Sequence, residues 1–348
     1  MVNLAPIIPA HRFDEDALKV WLSNARPDFR GELKIRQFQG GQSNPTFLIQ
    51  AGGKRLVLRK KPPGQLLSKA HDVEREFRVL AALGTTDVPV ARVITLCDDA
   101  SVIGTPFYVM EFVEGRIFDN AMMDGLDPKE RRRLHLASVD ALTTLHAVDF
   151  EAVGLGDFGP KGGYVARQVE RWSRQYQSSL SAGELPALTW LADWLREHQD
   201  VPDETTIAHG DFRHGNLCFA VGKPNVSAIF DWELSTLGHP LSDLAYLCMP
   251  YRIDASVPNS RGILGLDLAE LGIPKEEEIV ERYCTAMGRS APPDWNVFLA
   301  LSFFRLSAIL HGVMARALQG NASDANARQV AQRAGLLADV GQSIARQH

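Results

Sequence analysis

From His209 the chain reads His209-Gly210-Asp211-Phe212-Arg213-His214-Gly215-Asn216, and after an apolar run it continues Ile229-Phe230-Asp231-Trp232-Glu233. This pattern constrains the fold more than any other stretch. It requires a loop carrying Asp211 and Asn216, then the strand 226–230, ending in Asp231 at hairpin distance. His-Gly-Asp alone is common in turns, whereas the full set of offsets is far more restrictive. Its chemistry is equally specific. One carboxylate can accept or orient a hydroxyl proton, while an amide oxygen and a second carboxylate suit Mg²⁺, which takes oxygen donors with few carboxylates. Phosphoryl transfer from ATP needs that set of groups.

Local signals surround this motif with a definite order of elements. Asp14-Glu15-Asp16 caps an amphipathic helix that includes Trp21. Strands are expected at 33–39, 46–50 and 56–59, with Gly40-Gly41-Gln42-Ser43-Asn44-Pro45 turning between the first two and Gly52-Gly53 closing a hairpin. A helix at 73–83 and strands at 90–96 and 105–112 follow, and the strand pattern stops at a hinge, Glu111 to Gly115. Beyond it, helices are expected at 128–145, 166–180, 187–198, 241–249, 276–287 and 296–318. The tail, 321–348, reads as an amphipathic surface helix.

The spacing of Asp211, Asn216 and Asp231 matches the protein-kinase H-R-D-x-x-x-x-N and D-F-G motifs. Gly210 stands for the Arg, and Asp231-Trp232-Glu233 for D-F-G. In this form the chain resembles the aminoglycoside phosphotransferase-like kinases, small-molecule relatives of protein kinases. The resemblance runs from about Ile35 to Ala245. It implies an α+β, bilobal protein-kinase-like fold: an N-lobe over 1–113 with a small antiparallel sheet, one helix and an extra N-terminal helix, and a larger, mainly helical C-lobe over 114–348.

The resemblance also implies roles. Asp211 is the candidate catalytic base, and Asn216 and Asp231 are the candidate Mg²⁺ ligands. Gly40, Gly41, Ser43 and Asn44 fall where the family carries its nucleotide loop, and glycines let backbone approach phosphate oxygens. The third strand should supply a cation. Alternation puts Val57 and Arg59 on one face and Leu58 and Lys60 on the other; register favours Arg59 with Glu76 as its helix partner, Lys60 being the second choice. Glu111 and Val113, at the hinge, complete the ATP-binding set. Asp243, in Gly-His-Pro-Leu-Ser-Asp-Leu-Ala, resembles a structural Asp that anchors the catalytic loop. His209 reads as a packing and hydrogen-bonding residue rather than a catalyst; for Glu233 the residues leave open help through a water, support of Asp231 and a plain surface salt bridge. His11, His71, His135, His146 and His311 show no ligand spacing and read as surface or satisfied core residues.

Bulk properties narrow the setting. The chain has 348 residues, is 45% hydrophobic and 23% charged, and has a net charge of -5. That balance argues against a nucleic-acid binder. No secretory signal or uninterrupted apolar span stands out. Scattered Cys97, Cys218, Cys248 and Cys284 suit a reducing compartment, so a cytoplasmic protein without a membrane partner is expected.

The resemblance implies an acceptor that is a small molecule with a hydroxyl. Arg116, Arg131-Arg132-Arg133, and Arg167, Arg171 and Arg174 at helical spacing would repel a polycation and could suit an anionic acceptor. The run Val57-Leu58-Arg59-Lys60-Lys61-Pro62-Pro63-Gly64-Gln65-Leu66-Leu67, with 70–76 after it, and Tyr164 to Tyr176 resemble the kinase-like module fused to some acyl-CoA dehydrogenases. That implies a hydroxyacyl-CoA acceptor and a dehydrogenase partner. Two alternatives stay open: a kinase of another small alcohol or an aminoglycoside, and a non-catalytic nucleotide-binding scaffold.

Overall fold

The computed structural model describes residues 4–29, 31–39, 44–62, 72–258, 260–318 and 333–348. The chain divides into two compact units, one comprising 1–116 with 218–223 and 227–234, the other 117–217, 224–226 and 235–348. Two short segments far down the sequence thus belong to the first unit, and one of them carries Asp231.

The first unit is built on an antiparallel sheet. Its strands are β1 (Leu4–Ala5), β2 (Lys34–Phe38), β3 (Thr46–Ala51), β4 (Lys54–Lys60), β5 (Val93–Cys97) and β6 (Phe107–Glu111), in the order β1-β2-β3-β4-β6-β5. The β3–β4 hairpin turns through Gly52 and Gly53 at φ 56° and 72°, a left-handed pair that glycine adopts without steric cost. Helix α1 (Glu15–Ala25) begins where the Asp14 carboxylate accepts from the Ala17 amide at 2.9 Å. It contributes Leu18 and Leu22 to a core with Phe47, Ile49, Leu56, Leu58, Phe107 and Val109. Helix α2 (Val73–Leu83), capped by Asp72 on the Arg75 amide at 3.0 Å, packs against β5 and β6.

The second unit is mainly helical: α3 (Pro128–His146), α4 (Tyr164–Ser178), α5 (Pro186–Glu197), α6 (Pro240–Cys248), α7 (Leu268–Leu271), α8 (Glu276–Ala286), α9 (Trp295–Leu318) and α10 (Arg333–Ala345). Strand β7 (Thr206–Ala208) leads into the His209 loop and pairs with β10 (Thr236–Gly238), a small sheet the sequence pattern did not signal at three residues a strand. Strands β8 (Leu217–Phe219) and β9 (Val226–Ile229) form the expected hairpin before Asp231.

Helix α9 is apolar almost all round because neighbours surround it: α4, α5, α6 and α10. It is long and apolar enough to cross a membrane, with mean hydropathy 1.8, but 78% of that window is buried within the protein. The tail corrects one expectation. Residues 321–332 lie outside the described ones, and α10 is no surface appendage: Leu337 and Ala338 are fully buried, and the helix packs on α9 and α5. The four cysteines are buried and free.

Candidate active site

Strand alternation decides which basic residue of β4 serves the site. Leu56, Leu58 and Lys60 face α1's side of the sheet, where the Lys60 ammonium lies 5.3 Å from the Phe13 ring centroid and is only 2% exposed. Arg59 points the other way. Its Nε pairs with Glu76 Oε2 at 2.7 Å, and its Nη2 donates to Asp231 Oδ1 at 2.7 Å. Glu76, 1% exposed, also accepts from Tyr108 Oη at 3.0 Å and from Asn44 Nδ2 at 2.6 Å. Burial pushes the Glu76 carboxyl up while Arg59 pulls it down. For Arg59, burial is outweighed by Glu76 and Asp231, and the guanidinium stays cationic. Asn44 thus orients Glu76. Gly40, Gly41 and Ser43 lie outside the described residues.

Asp231 has φ 66°, a left-handed conformation that Asp tolerates better than most side chains. The strained turn lets β9 end in a carboxylate half-turned to solvent, 34% exposed. Trp232 behind it is buried, its indole N–H donating to the Ile229 carbonyl at 2.9 Å. Glu233 is close enough to add to the field on Arg59. Glu111 has its carboxylate on the Arg92 guanidinium and donates its amide to the Arg92 carbonyl at 2.9 Å, and Val113 follows the end of β6 partly exposed.

In the second unit the loop after β7 is held from below. Asp243, fully buried near the start of α6, accepts from the amides of His209 at 2.6 Å and Gly210 at 2.8 Å. His146 Nε2 lies 3.3 Å from the same carboxylate. Burial raises the Asp243 pKa, but these hydrogen bonds and the neighbouring imidazoles win and hold it below the ordinary range. His209 Nδ1 accepts the Asp211 amide at 3.2 Å. Asn216 Nδ2 donates to Asp211 Oδ2 at 2.7 Å and to its carbonyl at 2.8 Å. Both bonds use the amide nitrogen, which leaves the oxygen to an oxygen-seeking cation. Arg213 Nε stands 3.4 Å from Asp211 Oδ2, and the Tyr246 hydroxyl donates to the Asp211 side chain.

Sequence reasoning missed Tyr246 and Arg305. The Arg305 guanidinium bonds the Gly210 carbonyl from inside α9 and is 8% exposed. A lone Arg in the otherwise apolar Phe303-Phe304-Arg305-Leu306 run was the available signal, since a buried charge needs a reason. His135, His146 and His311 resolve to core positions. His135 Nε2 bonds the Ala121 carbonyl at 2.8 Å, His146 Nδ1 meets Tyr283 Oη at 2.7 Å, and His311 Nδ1 meets Ser179 Oγ at 2.8 Å. His11 Nδ1 contacts Gln37 at 2.7 Å, and His71 lies outside the described residues.

The expected basic face does not survive folding. Arg131 is buried and bonded to the carbonyls of Leu126 and Leu271. Arg132 pairs with Glu278, Arg174 with Glu170 at 3.0 Å, and Arg167 donates to the Pro160 carbonyl at 2.9 Å. The Arg116 backbone pairs with Phe219. Arg171 has no carboxylate partner among the described residues, its guanidinium lying 4.9 Å from the Trp172 ring, and Arg133 is exposed.

Six antiparallel strands with one packed helix, a helical second unit, and an Asp–Asn loop followed by a hairpin to a second Asp define a kinase-like phosphotransferase fold. Residues 34–283 match the family model described as the phosphotransferase enzyme family, and the chain belongs to that family. It is a phosphotransferase with an alcohol group of a small molecule as acceptor. A crystal structure from Ralstonia eutropha JMP134, provisionally named an aminoglycoside phosphotransferase, is 43% identical, with a TM-score of 0.86 over 97% of this chain and 99% of that one. The aminoglycoside phosphotransferase APH(4)-Ia, solved with ADP and hygromycin B, shares the fold at 14% identity, with a TM-score of 0.62 over 95% of this chain and 98% of that one. Human acyl-CoA dehydrogenase family member 11 is 41% identical over 99% of this chain and 44% of its own length. Mouse acyl-CoA dehydrogenase family member 10 is 43% identical over 94% of this chain and 31% of its own length. The chain therefore spans less than half the length of these relatives.

Proposed function

We propose that the protein transfers the γ-phosphoryl group of ATP to the hydroxyl of a small acceptor, with a hydroxyacyl-CoA as the acceptor that best fits its relatives. The observation that carries the chemistry is the way Asp211 is held: Asn216, Arg213 and Tyr246 all address its side chain. Asp211 orients the acceptor hydroxyl and takes its proton as the new O–P bond forms and the bond to the departing ADP oxygen breaks. Arg59, kept cationic by Glu76, supplies charge for the phosphates. Asp243 keeps the His209–Asp211 backbone from shifting, so the carboxylate needs no rearrangement during reaction.

The donor chemistry fits Mg²⁺. Asn216 in one unit offers an amide oxygen and Asp231 in the other a half-exposed carboxylate, each an oxygen donor of the kind Mg²⁺ takes. Mg²⁺, when bound, would neutralise phosphate charge. Neighbours of the fold solved with ADP or GDP support nucleotide use.

The CoA-linked acceptor, and an acyl-CoA dehydrogenase acting on its product, rest on the names of the relatives. Mass spectrometry after incubation with ATP, Mg²⁺ and a panel tests the reading. The panel holds a 4-hydroxyacyl-CoA, its free hydroxy acid and an aminoglycoside. A phosphoryl adduct on the CoA ester alone is the expected result. An adduct on the aminoglycoside alone overturns the acceptor, and no adduct on any of them counts against phosphotransfer to this class.

A further inference from the structure

Several arginines of the second unit are matched to carboxylates, among them Arg252 to Glu276 at 2.7 Å, Arg282 to Asp140 at 2.7 Å and Arg289 to Glu204 at 2.8 Å. Among the described residues, Arg171, Arg261, Arg305 and Arg333 are arginines without a carboxylate partner that ring, backbone and electrostatic contacts link to one another and to Tyr246. Arg305 lies 5.4 Å from the Tyr246 ring and 5.7 Å from the Trp172 ring, and Arg171 lies against Trp172 at 4.9 Å. Arg333 donates Nη2 to the Ser260 carbonyl at 2.9 Å, beside Arg261, whose φ of 60° places it on a left-handed turn. Tyr246 joins the group to the site, since its hydroxyl bonds Asp211.

The charges oppose one another. Arg171 is exposed, yet its surroundings and then Arg305 hold its pKa below the ordinary guanidinium range. Burial, and then Arg261, do the same to Arg333. Arg305 is 8% exposed, and the Nε atoms of Arg305 and Arg333 are buried without hydrogen-bond partners. Nearby carboxylates are committed elsewhere, Asp211 to Asn216 and Tyr246, and Asp243 to the amides of the loop. Holding like charges together and partly dehydrated is costly unless an anion compensates. Guanidinium groups are suited to oxyanions, which they bind through paired N–H donors.

We propose that Arg171, Arg261 and Arg333, backed by the buried charge of Arg305, form an anion-binding subsite beside Asp211 for a phosphate or carboxylate group carried by the acceptor. The subsite rests on the reading that Asp211 marks the reacting hydroxyl. It makes the acceptor an anionic alcohol and excludes polycations by repulsion.

Titration calorimetry tests it with three probes: coenzyme A for phosphate, 4-hydroxybutyrate for carboxylate, and kanamycin as a polycation. Wild type is expected to bind one or both anions and not kanamycin, and whichever anion binds identifies the group. The double variant Arg171→Gln/Arg261→Gln should raise the anion Kd at least tenfold, with ATP affinity unchanged as the check on folding. Arg171→Lys/Arg261→Lys, which keeps the charge, should recover part of the loss. Equal anion affinity in wild type and the Gln variant, or tighter binding of kanamycin than of either anion, overturns the subsite. If wild type binds the anion and the Gln variant binds it at least tenfold more weakly, while wild type phosphorylates no acceptor, the functional reading fails and the subsite stands.

Discussion

Arg59 Nη2 lies 2.7 Å from Asp231 Oδ1, although 172 positions separate the two residues. The contact ties the cation of β4 to the carboxylate that ends β9. With Glu76 on its other edge, the guanidinium is bracketed by two acids and fixed in direction. A lysine would make a point contact there, not a fork.

Breaking that arrangement should cost stability as well as activity. Glu76→Gln leaves Arg59, 14% exposed, short of one countercharge. Removing one partner of a buried pair costs about 3–5 kcal/mol. Urea unfolding should show a lower midpoint with unchanged slope, and nucleotide affinity should fall in the same variant. An unchanged midpoint would mean Asp231 alone satisfies the arginine.

Asp211→Ala is expected to lower kcat by on the order of 10²–10⁴ while the Kd for ATP stays within about twofold, the signature of a lost general base. Steady-state kinetics on the best acceptor and calorimetry with nucleotide check the two halves. Matching kcat in variant and wild type would remove Asp211 from the chemistry.

At Asp231 two substitutions separate backbone from carboxylate. Asp231→Gly suits φ 66° and should keep the fold while weakening Mg²⁺-dependent nucleotide binding. Asp231→Val loses the same carboxylate and adds about 1–2 kcal/mol of left-handed strain. Identical thermal stability of the two variants would show the turn relaxes freely.

Acid stability should carry the mark of His135 and His214, whose rings meet edge-on at 4.6 Å. Burial lowers both pKa values, that of His135 to about 4 from an ordinary 6.5. Between those limits the unfolded chain binds the proton and the native one does not, so stability rises with pH across about 4 to 6.5 and falls on acidification. For His135 the full loss is about 3 kcal/mol. His135→Gln should flatten the slope of unfolding free energy against pH. A slope as steep as wild type would assign it elsewhere.

Asp243 acts over a lower window. Its pKa is depressed in the folded protein, so its contribution is present above the carboxylate range and is lost as pH drops through the folded value. Asp243→Asn should remove that lowest-pH phase. It should also reduce kcat without changing ATP affinity, because His209 and Gly210 lose their anchor.

Local chemistry alone determined much of this protein. Alternation along β4 put Arg59 and Lys60 on opposite faces without choosing between them, capping aspartates set the starts of α1 and α2, and the spacing of Asp211, Asn216 and Asp231 carried the class of reaction. These depend on periods and offsets within a few residues, which a sequence displays directly. Tertiary structure decided the rest. It spent Arg131 and Arg132 on carbonyl and carboxylate partners remote in sequence, buried the tail from Arg333 against α9, and returned the Asp231 segment to the first unit. It also placed Arg305 beneath Gly210 and Tyr246 beside Asp211. A side chain's charge is written in the sequence, but whether that charge is free for a ligand depends on which distant groups fold against it.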